Sequence, residues 1–161
     1  MKELNVQLQA VESANRLNYL PYLLLADESE SVVEEYIGAG QMFAILDDGG
    51  SVAGVALFME ESEDVVELKN IALVPKFRGL GLGKKVIALA CDMYREKGSR
   101  KMIVGTANSS IANLAFYQKA GFRMAEIKKD FFLKYPEPIF EDGIQAVDMV
   151  MFDLDLEKSG D

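Results

Sequence analysis

The 161-residue chain contains no histidine and only one cysteine, Cys91. Without imidazole, Ser-His-Asp and Cys-His triads are excluded, and so are zinc sites built on histidine; no metal is expected. One thiol makes neither an internal disulfide nor a cysteine cluster, and its apolar setting in ALACDMY predicts an inert core residue. Proton transfer therefore falls to Asp, Glu, Tyr, Lys or ordered water. Long apolar runs are also missing, since nothing approaches the roughly 20 residues that span a bilayer. The opening MKELNVQLQAVES lacks the apolar block of a secretory signal, so a cytoplasmic protein without a membrane partner is expected. Basic residues are outnumbered, 17 Lys and Arg against 26 Asp and Glu, for a formal charge of -9. That balance argues against a nucleic-acid partner, whose phosphates demand clustered cations, and mildly favours a cationic or neutral small substrate.

What is present is the mix of a globular protein, 50% hydrophobic and 27% charged. The length predicts a single domain over residues 1–161, enough to bury about two thirds of the unfolded surface. Alternation over 4–9 reads as a half-exposed strand. Residues 16–25 read as helical around Pro21, and a second short helix is opened by Ser29 or Ser31 and stopped by Gly38 and Gly40. Apolar runs at 41–46 and 51–59, joined by DDGG, predict an antiparallel hairpin. A third strand over 65–74 ends at Pro75, a helix spans 82–96, and a buried-type strand spans 101–106. A helix over 108–119 and strands over 122–127 and 146–154 follow, the last two separated by the loop DFFLKYPEPIFEDGIQ. This order predicts an α+β (mixed α/β) fold, with helices on both faces of its sheet.

The densest signal is VPKFRGLGLGK, residues 74–84, where Gly79, Gly81 and Gly83 lie between a strand and a helix. A chain entering a helix there exposes backbone N–H groups that no carbonyl accepts, and missing Cβ atoms let an anion approach them. Arg78 and Lys84 bracket the turn with full charges, a combination suited to a pyrophosphate. The spacing fits neither the dinucleotide fingerprint nor the P-loop, and a plain tight turn is the competing explanation.

Together with its surroundings, this stretch resembles the GNAT superfamily of acyl-CoA N-acyltransferases. Arg78, Gly81 and Gly83 fill the family's central signature after a strand ending LVP, and LAFYQKAGF (114–122) is similar to its tyrosine-bearing helix-to-strand element. GTANSS, FYQKAGFR and the DFF loop resemble a small bacterial branch of the superfamily. The resemblance implies the acyl-CoA N-acyltransferase fold, a central, mostly antiparallel sheet of about seven strands. It implies acetyl-CoA as donor and direct attack of an amine on the thioester. Ile71, Ala72 and Leu73 would face the pantetheine arm, and the amides of Gly79, Leu80, Gly81, Leu82, Gly83 and Lys84, flanked by Arg78, would hold the pyrophosphate.

By the same resemblance Tyr117 is the candidate acid for the departing thiolate, with a core aromatic as the competing role. Glu67, in ELKNIALVP, is the candidate base, or else a surface glutamate; unbroken alternation would put it on one face with Lys69 and Ile71. Two positions depart from the family pattern. Ser110 stands where many members carry a cofactor-contacting asparagine, with Asn108 two residues earlier; the resemblance implies cofactor contacts from Asn108 and Ser110, with a plain helix-start residue as the competing role of Ser110. Gly105 stands where ribosomal-protein N-terminal acetyltransferases carry a catalytic glutamate, which disfavours that mechanism. Phe131, Phe132, Tyr135 and Phe140 could line an acceptor pocket, anchor a homodimer surface or simply pack. The expected function is acetylation of a small-molecule amine. Protein or peptide acetylation, and a CoA-binding module without turnover, are the alternatives.

Overall fold

The computed structural model describes residues 5–27 and 29–157. Strand β1 is Gln7–Ala10, so the predicted strand is later by a few residues, and Leu4 lies outside the described residues. The apolar stretch around Pro21 divides into a 3-10 turn, Ser13–Tyr19, and a short helix α1, Leu20–Leu23, with the proline in its first turn. Helix α2, Glu30–Tyr36, is capped by Ser29, whose hydroxyl accepts a hydrogen bond from the Val32 N–H at 3.3 Å. Strands β2, Gln41–Leu46, and β3, Val52–Glu60, form the hairpin predicted from DDGG. The Asp47 carboxylate closes its turn by accepting from the N–H groups of Gly49 and Ser51 at 3.0 and 2.8 Å.

Strand β4 is Val65–Leu73, helix α3 is Leu82–Glu96 and strand β5 is Lys101–Ala107. Helix α4, Ile111–Lys119, starts three residues after its predicted beginning because residues 108–110 turn the corner out of β5. Then come β6, Arg123–Lys128, a two-stranded hairpin of β7, Phe140–Glu141, and β8, Ile144–Gln145, and finally β9, Met149–Asp155. That small hairpin and a 3-10 turn, Phe131–Lys134, structure the stretch predicted only as a loop.

Among the described residues the main sheet has seven strands in the order β1-β2-β3-β4-β5-β9-β6, and β4 with β5 is its single parallel pair. One face is covered by α3, whose Val86, Ile87, Ala90, Cys91 and Tyr94 pack with Val66, Leu68, Tyr117 and Phe152. The opposite face carries a second cluster, in which Leu23 of α1 and Val33 and Tyr36 of α2 meet Leu57 and Ala72. This is the expected mixed α/β fold with helices on both faces. Cys91 is buried in the first cluster, and burial pushes its thiol up to about 11, as befits a core residue. No helix among the described residues is long and apolar enough to cross a membrane.

Candidate active site

Two irregularities in β4 create an opening in the sheet. Its parallel pairing with β5 runs from Val65↔Lys101 to Leu68↔Val104 and stops there. Beyond it, Asn70–Leu73 stays paired on the β3 side alone. At the same place Leu57 of β3 opposes Asn70 and Phe58 opposes Leu68, so Lys69 is an extra, bulged residue.

The bulge changes which side chains share a face. Val66 and Leu68 lie in the α3 cluster and Ile71 and Leu73 pack against it, whereas Ala72 belongs to the cluster of α1 and α2. Glu67, between Val66 and Leu68, therefore faces the α1–α2 side with Asn70 and Ala72, and not with Ile71 as unbroken alternation would have it. Lys69 also turns that way, its Nζ 5.2 Å from the centre of the Tyr36 ring.

The glycine turn leads from the end of β4 into α3. Arg78, in extended conformation, donates from Nε to the Leu73 carbonyl at 2.9 Å and so ties the turn to the strand. Gly79 and Gly81 have φ of 76° and 78°, the left-handed region that L side chains rarely adopt, and a Cβ on either would point into open space. Gly81 is the N-cap of α3 without any side-chain cap, and the first helical bond is from the Lys85 N–H to its carbonyl. The N–H groups of Leu82, Gly83 and Lys84 thus point out of the helix end with the positive end of its dipole. Leu80 is exposed and Leu82 is buried, anchoring the turn from below. Gly83 is glycine for another reason: a Cβ there would lie 2.8 Å from the Phe116 ring, so α3 and α4 approach closely at this point.

Tyr117, on α4, is buried with its ring 5.2, 5.7 and 5.8 Å from those of Phe116, Phe122 and Phe152. Burial alone pushes its phenol well above the ordinary value, so it is protonated throughout the physiological range. Glu67 is half-buried, and its carboxyl is also held above the usual carboxylate range. Burial is the main cause, helped by the Glu61 carboxyl beside it and opposed by the charges of Lys69 and Lys128. Tyr117 and Glu67 thus lie on opposite faces of the sheet, with the β4–β5 opening as the passage between those faces.

On the α1–α2 face, Asn70 donates from Nδ2 to the Leu23 carbonyl at 3.1 Å and to the Tyr36 hydroxyl at 2.9 Å. The Tyr36 hydroxyl donates in turn to Asp27 at 3.1 Å. Sequence reasoning passed over Asn70 and Tyr36, and only the asparagine inside an apolar strand hinted at them. Residues 129–148 form a strap that reaches this group. Tyr135 is half-buried, and its phenol is raised first by burial and then by the nearby charges of Asp27 and Glu35. Asn108 and Ser110 serve the strap: the Asn108 carboxamide bonds the backbone of residues 145–148, and the Ser110 hydroxyl donates to Glu141 at 2.6 Å. At Gly105 the space for a side chain is filled by the thioethers of Met149 and Met151. A glutamate at that position would have to displace both methionine side chains, which gives the packing context of the glycine.

Comparison with known proteins agrees with this geometry. The family model described as Acetyltransferase (GNAT) family matches residues 10–122. The Bacillus subtilis protein YvbK, an uncharacterized N-acetyltransferase, is 39% identical over 95% of this chain and all of its own length. A GNAT family acetyltransferase from Elizabethkingia anophelis, crystallised with acetyl-CoA bound, superposes with a TM-score of 0.86 at 32% identity, over 94% of this chain and 98% of its own. A Bacillus subtilis acetyltransferase in complex with CoA gives a TM-score of 0.80 at 37% identity, over 95% of this chain and 99% of its own.

Proposed function

The chain belongs to the acetyltransferase (GNAT) family, and from that premise we propose that it transfers the acetyl group of acetyl-CoA directly to a primary amine of a small molecule. The observation that carries this reading is the opening of β4 away from β5 beside an uncapped, glycine-lined helix N-terminus. The residues present fit the donor. The outward N–H groups of Leu82, Gly83 and Lys84, with the open space over Gly79 and Gly81, accommodate a pyrophosphate. The freed half of β4, Ile71 to Leu73, leaves room for an extended arm along the strand. Acetyl-CoA bound in one relative of similar fold and CoA in another support the same assignment. Acetyl-CoA supplies an activated acyl carbon, so the chain needs no nucleophile of its own, which suits a protein without histidine whose one thiol is buried.

In this reading Glu67 takes the proton of the attacking ammonium, directly or through water. A carboxyl held above its ordinary range is a stronger base at neutral pH than an exposed one. Glu61 tunes it. Glu61→Gln removes a neighbouring acidic group that keeps the Glu67 proton in place, so the acidic limb of the rate profile should move to lower pH; measured kcat/KM against pH checks this.

Tyr117 donates a hydrogen bond to the departing sulfur. Its raised pKa makes complete transfer of the phenolic proton to a thiolate uphill, so the hydroxyl stabilises the developing charge and solvent delivers the proton. Tyr117→Phe should lower turnover about 10- to 100-fold, the worth of one charge-assisted hydrogen bond, with acetyl-CoA affinity within twofold of the parent. Unimpaired turnover would remove Tyr117 from the mechanism.

A small acceptor is favoured by the methionines that fill the position of the N-terminal acetyltransferase glutamate. The deciding assay is thiol release from acetyl-CoA over 1,4-diaminobutane, spermidine, glucosamine 6-phosphate and lysine, run beside a peptide panel. Acetylation of peptides alone would replace the small-molecule reading with the protein-directed one, and binding without any turnover would leave a CoA-binding module.

A further inference from the structure

The strap is held at one corner, and Asn108 is the centre of that corner. Its Oδ1 accepts from the N–H groups of Val147 and Asp148 at 2.8 and 3.0 Å, and its Nδ2 donates to the Gln145 carbonyl at 3.2 Å. Its own backbone N–H donates to the Asp148 carbonyl at 3.0 Å. Both acceptor sites of the carboxamide oxygen and one of two amide hydrogens are thereby used. A carboxamide fits this set, since a carboxylate could not donate to Gln145, whereas the carboxamide accepts through its oxygen and donates through its separate nitrogen.

The neighbouring hydroxyls reinforce the joint. Ser110 and Ser109 donate to the same Glu141 oxygen at 2.6 and 3.3 Å, and both serines are buried. The ends of the strap are closed on each other by the Asp130 N–H donating to the Asp148 carboxylate at 2.9 Å and the Phe132 N–H donating to the Val147 carbonyl at 2.9 Å. From this corner the strap extends to Tyr135, beside Asp27 and Glu35 on the α2 side. Asp27 accepts from Tyr36, which accepts from Asn70 in the half of β4 that β5 leaves unpaired. The strap anchored at Asn108 thus brings Tyr135 near the Asp27–Tyr36–Asn70 chain, which lies on the side of the opening that Glu67 faces.

We infer that Asn108 is a positioning residue: through the backbone of residues 145–148 it holds the strap as the wall of the acceptor pocket, and so governs capture of the acceptor rather than of acetyl-CoA. This rests on the assignment of the acceptor side proposed above.

The test uses the full chain with Asn108→Ala and Asn108→Asp, the second keeping both accepted hydrogen bonds and losing the donated one. Hydrogen exchange should quicken across residues 130–148 in Asn108→Ala while the amides of β3 and β4 keep their parental rates. With spermidine as acceptor probe, or the panel amine that turns over if spermidine does not, KM should rise about tenfold, which is about 1.4 kcal/mol, with kcat within about threefold. Acetyl-CoA Kd by titration should stay within twofold, and Asn108→Asp should fall between parent and alanine variant. A weakened acetyl-CoA Kd with unchanged acceptor KM would overturn the inference and make Asn108 a cofactor contact. Unchanged exchange in the strap would overturn it as well. If the parent protein binds acetyl-CoA but acetylates none of the panel, the proposed function fails first and this inference falls with it.

Discussion

Gly81→Val is expected to abolish acetyl-CoA binding. Gly81 caps α3 at φ 78°, and its missing Cβ faces open space at the helix end whose N–H groups point outward. A branched side chain at that point occupies the volume in which the pyrophosphate would sit. It also pulls the residue out of the left-handed region and re-aims the amides after it. Hydrogen bonds to a charged group are worth about 1.5–3 kcal/mol each, so losing two of them weakens binding by about 10²–10⁴-fold. The strain itself is about 1–2 kcal/mol, a lowering of Tm by a few degrees for a chain of this size. The two effects are separable: calorimetric titration reads the affinity and a thermal melt shows that the fold remains. An affinity equal to that of the parent would end the account of this turn as an anion site.

The second large effect is expected from Glu67→Gln. Removal of a general base commonly costs about 10²–10⁴-fold in rate, and what remains should no longer follow the acidic limb of the parent profile. Stability should move the other way. Burial and Glu61 raise the carboxyl of Glu67 in the folded state above its unfolded value, so the folded chain binds the extra proton between the two values. Stability is then lost as pH rises through that interval, and the penalty is fully present above the folded value. Glutamine does not titrate, so the variant should be at least as stable as the parent at neutral pH, with an advantage that grows as pH rises through the interval. Denaturant midpoints at a series of pH values measure this. A variant that loses both activity and stability would mark Glu67 as a structural residue, and an unaltered rate profile would remove it as the base.

Asn108 and Ser110 illustrate how far reading along the chain extends. Their residue types and their place before a helix identified hydrogen-bonding side chains at a working corner of the protein. Their partners, Gln145, Val147, Asp148 and Glu141, lie more than thirty residues away, and nothing local selects them over a cofactor. Gly83 makes the same point within one motif. Gly79 and Gly81 are required by their own backbone angles, a local demand, whereas Gly83 is required by Phe116 on another helix.

What the sequence determined by itself was everything governed by short-range physics. The hairpin closed by Asp47, the helix Leu82–Glu96 and the left-handed glycines that open it each follow from neighbours a few positions away. Only the tertiary structure decided the bulge at Lys69 and the end of β4–β5 pairing at Leu68 and Val104. Those features put Glu67 on the α1–α2 face with Asn70 and opened the sheet beside the glycine turn. Register is a property of three strands together, since β3 and β5 compete for the backbone of β4 from opposite sides. A shift by one residue reverses every later side chain without leaving a mark in the sequence of β4.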